Sequence, residues 1–171
     1  KTHDILDKGM EVLINLAHRG ACGCDPLTGD GAGMLIQIPH TFFEKHCAES
    51  GIVLPPQGEY GVGMVFMPPD QVNAKRCEDL VNQVISEEGH EVLTWRDVPV
   101  DPAEIGHVAR GSQPLIRQII IKRGQEAKDE AQFERKLFVI RKVIENEINE
   151  MGDEIKKHFY ICSMSSNKLV Y

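Results

Sequence analysis

The spacing of hydrophobic residues predicts an alternation of helices and strands along most of the chain. Apolar positions recur every three or four residues in four stretches, and short apolar runs occur between them. Helices are predicted over residues 2–16, 41–50, 70–88 and 129–151, and strands over 34–38, 60–67, 91–96, 115–122, 159–163 and 168–171. Residues 98–113 contain two prolines and two glycines and are predicted to be irregular.

Polar residues and glycines mark where these elements begin and end. Thr2 or Asp4 is expected to cap the first helix, and Thr41 the second, with Gly51 closing the second. Pro68-Pro69-Asp70 predicts the start of the third helix, and Gly89 its end. Ser165-Ser166-Asn167 predicts a turn that pairs residues 168–171 with the preceding strand as a hairpin. The strand over 34–38 is expected to be mostly buried.

The order of elements between residues 60 and 163 is strand, helix, strand, strand, helix, strand. This order is typical of the split βαβ arrangement of ferredoxin-like folds. The fold class predicted for the chain is α+β, with residues 59–163 as a ferredoxin-like subdomain. Residues 1–58 and 164–171 are expected to belong to the domain into which that subdomain is inserted.

Residues 18–34, called the glycine loop below, contain five glycines. Neither a helix nor a strand tolerates that density, because glycine loses too much backbone entropy in both. The loop follows a helix and leads into a strand, which is the wrong order for a dinucleotide fingerprint, and it lacks the Lys-Ser/Thr ending of a P-loop. Two interpretations remain: a tight turn that delivers the next strand, or a backbone wall against a small ligand, with Gly31 of positive φ or closely approached.

The side chains of the loop allow binding as well as purely structural roles. Arg19 offers a planar fork that suits a carboxylate, but it is about equally suited to a structural pair with Asp25 or Asp30. His18 is interpreted as a hydrogen-bonded structural histidine. Cys22 and Cys24 have no second cysteine pair at the spacing of a metal site, so no metal site is predicted.

The composition of the chain limits the kinds of partner and the cellular compartment that are expected. The chain carries 26 acidic and 19 basic residues, a net charge of −7, which argues against nucleic acid. No apolar run reaches the roughly 20 residues of a membrane span. An odd number of cysteines, five, favours free thiols in a reducing compartment. A cytoplasmic protein is expected, or a plastid protein if a transit peptide has been removed.

Taken together, these motifs resemble the N-terminal class II glutamine amidotransferase domain of glutamate synthase large subunits, a member of the N-terminal-nucleophile hydrolases. The resemblance rests on the glycine loop and continues through most of the chain. The matching segments are His18-Arg19-Gly20-Ala21, Gly23, Asp25, residues 29–33, 36–39, 42–43, 61–66, 95–100, 114–118, 159–163, 165–166 and 170–171. Other class II amidotransferases share only a shorter His-Arg-Gly loop.

The resemblance implies an αββα sandwich that hydrolyses glutamine, with the ammonia passed on for reductive synthesis of glutamate from 2-oxoglutarate. It implies that Arg19, Asp30 and Gly31 border the glutamine site. The parent enzyme would carry FMN and an iron–sulfur cluster in other domains of the large subunit, with a small subunit or ferredoxin donating electrons. No cofactor is expected within these residues.

The chain departs from the family pattern at both ends. The family's nucleophile is an N-terminal cysteine whose own α-amino group is the base, whereas residue 1 is Lys. The Arg-Phe-Ser-Thr segment and the Asn-Gly oxyanion pair of the family lie beyond residue 171. No catalytic residue is therefore assigned, and the fragment alone is expected to be inactive. The alternative function is a stand-alone ferredoxin-like ligand-sensing or interaction module.

Overall fold

A computed structural model describes residues 3–20, 25, 27–29 and 31–170. The chain forms two compact units, residues 1–34 with 100–113 and 171, and residues 35–99 with 114–170. The helices are α1 (Asp4–Asn15), α2 (His40–Glu49), α3 (Gln71–Glu87), α4 (His107–Gly111), α5 (Glu130–Glu150) and α6 (Asp153–Lys156). The strands are β1 (Leu35–Gln37), β2 (Tyr60–Met67), β3 (Glu91–Asp97), β4 (Leu115–Lys122), β5 (Tyr160–Ser165) and β6 (Lys168–Val170).

The larger unit is built on a four-stranded antiparallel sheet with the order β3-β4-β2-β5. Apolar residues of α3 and α5 share one core with residues of β2, β4 and β5. A second core contains residues of α2, β2, β4 and β6. Both faces of the sheet are thus covered. The chain combines helices with antiparallel sheets, so it is a mixed α/β fold of antiparallel type.

The run Ile119-Ile120-Ile121 in β4 follows from this two-sided burial. Successive side chains of a strand point to opposite faces. Ile119 and Ile121 belong to the core shared with α3 and α5, whereas Ile120 belongs to the other core. A strand covered on both faces needs apolar residues at consecutive positions, and all three isoleucines are fully buried.

Short-range signals set most helix ends as predicted. Asp70 caps α3 by accepting a 2.8 Å hydrogen bond from the Asn73 N–H. Asp129 does the same for α5, at 2.7 Å from the Gln132 N–H. Gly51 and Gly89 follow α2 and α3 with positive φ. The predicted cap at Thr41 is wrong, because α2 already begins at His40, after Pro39, without a side-chain cap.

The predicted hairpin between β5 and β6 is also wrong. Strand β6 pairs instead with β1, with Ile36 opposite Leu169. The serines at the end of β5 explain the change: the Ser165 hydroxyl accepts from the Asn167 and Lys168 N–H groups, and the Ser163 hydroxyl accepts from the Val170 N–H. These side chains take backbone donors that a hairpin ladder would have used.

Two further expectations about burial and regularity differ from the structure. The strand over 34–38 was predicted to be mostly buried, but Leu35 of β1 is 60% exposed, since the two-stranded β1–β6 sheet leaves this side chain uncovered. The segment predicted to be irregular contains the short helix α4, which begins after Gly106.

Helix α1 forms as predicted, but its apolar stripe is not covered. None of its residues is buried, and Ile5 is 62% exposed. His3 takes the cap position, but its side chain makes no capping hydrogen bond to a backbone N–H of the helix. Among the described residues, no helix combines the length and the apolar character that crossing a bilayer requires.

Candidate functional site

The glycine loop starts from a short 3₁₀ turn, Ala17–Arg19, directly after α1. Nδ1 of His18 donates to the carbonyl oxygen of Asn15 at 2.8 Å. This contact secures the end of α1 and confirms the structural interpretation of His18. The far end of the loop returns to the same helix, where a Cβ atom at Gly9 would lie 2.8 Å from Sδ of Met34. Helix α1 is therefore the base from which the loop leaves and to which it returns.

Arg19 is exposed at the start of the loop. Its backbone N–H donates to Leu16 at 2.9 Å, which closes the 3₁₀ turn. Within the described residues, no ion pair joins its guanidinium to Asp25, one of the two structural partners considered from sequence. The other partner considered, Asp30, lies outside the described residues.

Asp25 is a buried anchor of the loop, 6% exposed. Its Oδ1 accepts from the Leu27 N–H at 3.0 Å, and its Oδ2 accepts from the Thr28 hydroxyl at 3.1 Å. Nδ1 of His107 lies 3.0 Å from the same Oδ2. The hydrogen bond from Leu27 holds the pKa of Asp25 below its usual value, aided by Thr28 and His107, while burial acts in the opposite direction. The carboxylate is therefore ionised at neutral pH.

Residues 105–109, called the strap below, contact this part of the loop. The Gly106 N–H donates to the Leu27 carbonyl at 3.0 Å, and the Ala109 N–H approaches the Thr28 hydroxyl oxygen at 3.4 Å. Gly106, His107 and Ala109 of the strap therefore all contact residues 25–28 of the loop. The sequence does not indicate the role of the strap, because these residues show no apolar periodicity and no motif that points to a partner so far away in the chain.

Gly31 has a φ of 78°, which confirms the expected positive φ. No heavy atom lies within 4 Å of the position that its Cβ would occupy. The need for glycine is therefore conformational and not a matter of space. The left-handed residue turns the chain just ahead of β1 and leaves the backbone on this side of the loop uncovered. Asp30, Cys22 and Cys24, also considered from sequence, lie outside the described residues.

The Gly31→Val substitution is expected to lower the free energy of unfolding by about 1–3 kcal/mol, because a β-branched residue is strained at this φ. Gly31→Asn is the matched control, since asparagine tolerates the left-handed region far better. Urea unfolding of the chain measures both. The conformational explanation requires the asparagine variant to lose less than half as much; equal losses would refute it.

The described cysteines offer no activated thiol. Cys47 and Cys77 are buried, and Cys162 is half-buried. Burial raises the pKa of all three thiols, that of Cys77 to about 11. A thiol that stays protonated at neutral pH is a poor nucleophile and a poor metal ligand. The part of the chain that the structure describes also holds no group of three His, Cys, Asp or Glu side chains placed to bind a metal ion.

The described residues of the loop differ in how exposed they are. The loop presents an exposed guanidinium at one end and an uncovered, left-handed backbone turn at the other, with a buried carboxylate fixed between them. An exposed guanidinium recognises a carboxylate, and glycine backbone allows a ligand to approach closely. Arg19 and Gly31 lie on the same loop, and residues 21–24, 26 and 30 between them are outside the described residues.

Comparison with known proteins identifies similar chains. A family model of the class II glutamine amidotransferases matches residues 1–171. The chain is 47% identical over 171 residues to the glutamate synthase [NADPH] large chain of Bacillus subtilis, covering all of this chain and 11% of that relative. It is 35% identical over 175 residues to the glutamate synthase [NADH] of Schizosaccharomyces pombe, covering 99% of this chain and 8% of the relative.

A third relative is a glutamate synthase of the ferredoxin-dependent type. The chain is 33% identical over 170 residues to the ferredoxin-dependent glutamate synthase 2 of Arabidopsis thaliana, a chloroplastic protein, covering 99% of this chain and 10% of the relative. The chain thus spans about a tenth of the length of the curated relatives it matches.

Proposed function

The chain belongs to the class II glutamine amidotransferases, and we propose that it is part of the glutaminase domain of a glutamate synthase. The parent enzyme hydrolyses glutamine and uses the ammonia for reductive synthesis of glutamate from 2-oxoglutarate. The observation that carries this proposal is the 47% identity to a glutamate synthase large chain, in a match that covers all 171 residues of this chain. That match leaves the alternative, a stand-alone sensing or interaction module, without support.

The same proposal assigns the parts of the chain. Residues 1–58 begin the amidotransferase domain, an N-terminal-nucleophile αββα sandwich, and residues 164–171 return to it. Residues 59–163 form a ferredoxin-like subdomain. The strand order β3-β4-β2-β5, antiparallel throughout, with α3 and α5 contributing to one core, supports this assignment.

Arg19, Asp30 and Gly31 are proposed to border the glutamine site. The exposed guanidinium of Arg19 and the uncovered backbone at Gly31 support their assignment. No catalytic residue is assigned among the described residues. The family nucleophile needs a thiol and a free α-amine on one residue, and the described cysteines are internal and buried or half-buried.

The cofactors of the parent enzyme are assigned elsewhere. An iron–sulfur cluster needs several thiolate ligands, and the described residues do not bring three metal-ligating side chains together. We assign FMN and the cluster to the remaining domains of the large subunit. Glutamine is the partner of this chain, and a small subunit or ferredoxin is the electron donor. The relatives include NADPH, NADH and ferredoxin types, and the proposed location is the cytoplasm or a plastid.

The proposal predicts that Arg19→Ala in the full-length enzyme lowers glutamine-dependent glutamate formation by about tenfold to a hundredfold, the worth of one charged hydrogen-bonding group. Ammonia-dependent glutamate formation should remain unchanged, because ammonia bypasses the glutaminase site. Steady-state assays with each nitrogen source measure the two activities.

Arg76→Ala is the matched control, because Arg76 is an exposed arginine on α3 whose guanidinium donates a hydrogen bond to Asn73 of the same helix. It should leave both activities intact. Arg19→Lys keeps the charge but loses the planar fork, so a partial loss is expected. Equal loss of both activities in Arg19→Ala would show that Arg19 is a structural residue, and absence of glutamine-dependent synthesis in the unmodified enzyme would refute the proposed function.

A further inference from the structure

We propose that the strap, residues 105–109, positions the glycine loop for glutamine binding, with Gly106 as the residue that makes the contact possible. This inference rests on the proposed function, since it concerns the same glutamine site. It assigns a positioning role to a segment that contacts the loop and carries none of the residues proposed to border the substrate.

The strap meets the loop through three separate groups. The Gly106 N–H donates to the Leu27 carbonyl at 3.0 Å, Nδ1 of His107 lies 3.0 Å from Oδ2 of Asp25, and the Ala109 N–H approaches the Thr28 hydroxyl oxygen at 3.4 Å. Two of these contacts are backbone groups. The fit therefore depends on the path of the strap backbone more than on its side chains.

Gly106 lies where a side chain has no room. A Cβ atom at this position would overlap the carboxylate of Asp25, lying 2.5 Å from its Cγ, and would also overlap the Thr28 hydroxyl. Gly106 has a φ of −63°, which any residue adopts, so its backbone conformation does not require glycine. The reason for glycine at 106 is the close approach of the strap to the loop.

The group that the strap approaches is a buried anion. Asp25 is nine-tenths buried; its oxygens accept hydrogen bonds from Leu27 and Thr28, and its Oδ2 lies 3.0 Å from Nδ1 of His107. Displacement of the strap would remove the His107 contact and the cover that Gly106 gives to this carboxylate. A buried charge that loses a partner is costly, so the Asp25 carboxylate would then move toward water. Such a movement shifts the backbone of the loop at its centre.

The position of Asp25 connects this anchor to the proposed glutamine site. Asp25 lies midway along the chain between Arg19 and Gly31, the two described residues assigned to that site. Because the loop is one continuous chain, a fixed Asp25 limits how far Arg19 and Gly31 can move. Misplacement of binding groups by about 1 Å can cost a hundredfold in rate, so a strap that acts only through Asp25 and Thr28 can still have a large effect.

The test uses the full-length glutamate synthase holoenzyme with Gly106→Ala. The KM for glutamine is expected to rise by about tenfold or more, while ammonia-dependent synthesis keeps its wild-type rate. The matched control is Gly111→Ala, two residues beyond the strap at the end of α4, where no heavy atom lies within 4 Å of the added Cβ and φ is not positive. This control should stay within about twofold of the wild type for both activities, the range of a surface substitution.

Thr28→Val provides a second test that adds no bulk. It removes the hydroxyl that donates to Asp25 and faces the Ala109 N–H. A rise in the KM for glutamine is expected here too, and Thr28→Ser, which keeps the hydroxyl, should restore the wild-type value. A merely structural role would lower both activities together and would not show this selective rescue.

The outcomes are distinct. Glutamine KM values within twofold of the control in both Gly106→Ala and Thr28→Val would overturn the positioning role, as would parallel loss of the glutamine and ammonia activities in Thr28→Val. If Gly106→Ala yields no soluble enzyme, the Thr28 pair decides. Failure of the proposed function looks different, because the unmodified enzyme would then make no glutamate from glutamine at all.

Discussion

Replacing Gly124 with alanine is expected to lower the free energy of unfolding by about 3 kcal/mol or more, the upper range for overpacking a close contact. An added Cβ would overlap the carbonyl oxygen of Gly89 and lie 2.9 Å from its carbonyl carbon. Both groups are backbone, so no side-chain rotation relieves the overlap. The Gly124 N–H also donates to Nδ1 of the buried His90 at 2.8 Å, and separation of the two segments would break this bond.

Urea unfolding of the 171-residue chain, followed by circular dichroism, measures this effect. Gly111→Ala is again the control: it makes no contact within 4 Å, and alanine is the better helix former in α4. We expect the control to be neutral or slightly stabilising. A Gly124→Ala variant as stable as the control would contradict this prediction. The turn after β4 would then be able to move away from Gly89 without loss of unfolding free energy.

Leu137→Ala is expected to cost about 2–5 kcal/mol, the range for removing a large aliphatic side chain from a core. Leu137 is fully buried on α5, in the core shared with α3 and the sheet. Its Cδ1 packs directly on the backbone of β2, because a Cβ at Gly61 would lie 2.7 Å from it. Loss of the side chain leaves a cavity between helix and strand that the rigid sheet cannot close.

The matched control for this substitution is Val139→Ala on the same helix. Val139 is 43% exposed, so its loss should change the free energy of unfolding by less than about 1 kcal/mol. Equilibrium unfolding of both variants gives the comparison. Similar losses in the two variants would contradict the packing of α5 described above, since that packing distinguishes the buried face from the exposed one.

Much of the larger unit could be predicted from local pattern. Helix α5 shows why: Phe133, Leu137, Ile140, Ile144 and Ile148 recur every three or four residues, and all are buried. Pro68-Pro69-Asp70 predicted the start of α3, where the Asp70 side chain bonds to an N–H only three residues away. These signals operate within one turn of chain, and sequence displays them directly.

Part of the candidate site could also be predicted from the sequence. The density of glycine predicted a loop, and Gly31 has the positive φ expected there. The resemblance to class II amidotransferases was recognisable from the loop and from motifs along the chain, and it is confirmed by the family match. The contacts of the loop could not be predicted, because nothing in the sequence identifies the partner of a carboxylate such as Asp25.

The tertiary structure alone decided the pairings between distant residues. Strand β6 turned out to pair with β1 and not with its neighbour β5, since serine hydroxyls take the N–H groups that a hairpin needs. The Asp25 carboxylate turned out to meet His107 and not Arg19. The pattern of the sequence by itself determined which residues form helices, strands and the loop, because period, caps and glycine conformations are local properties. The contacts between these elements depend on which of many possible acceptors binds each donor. That choice is made only in the folded chain, where distant residues come together.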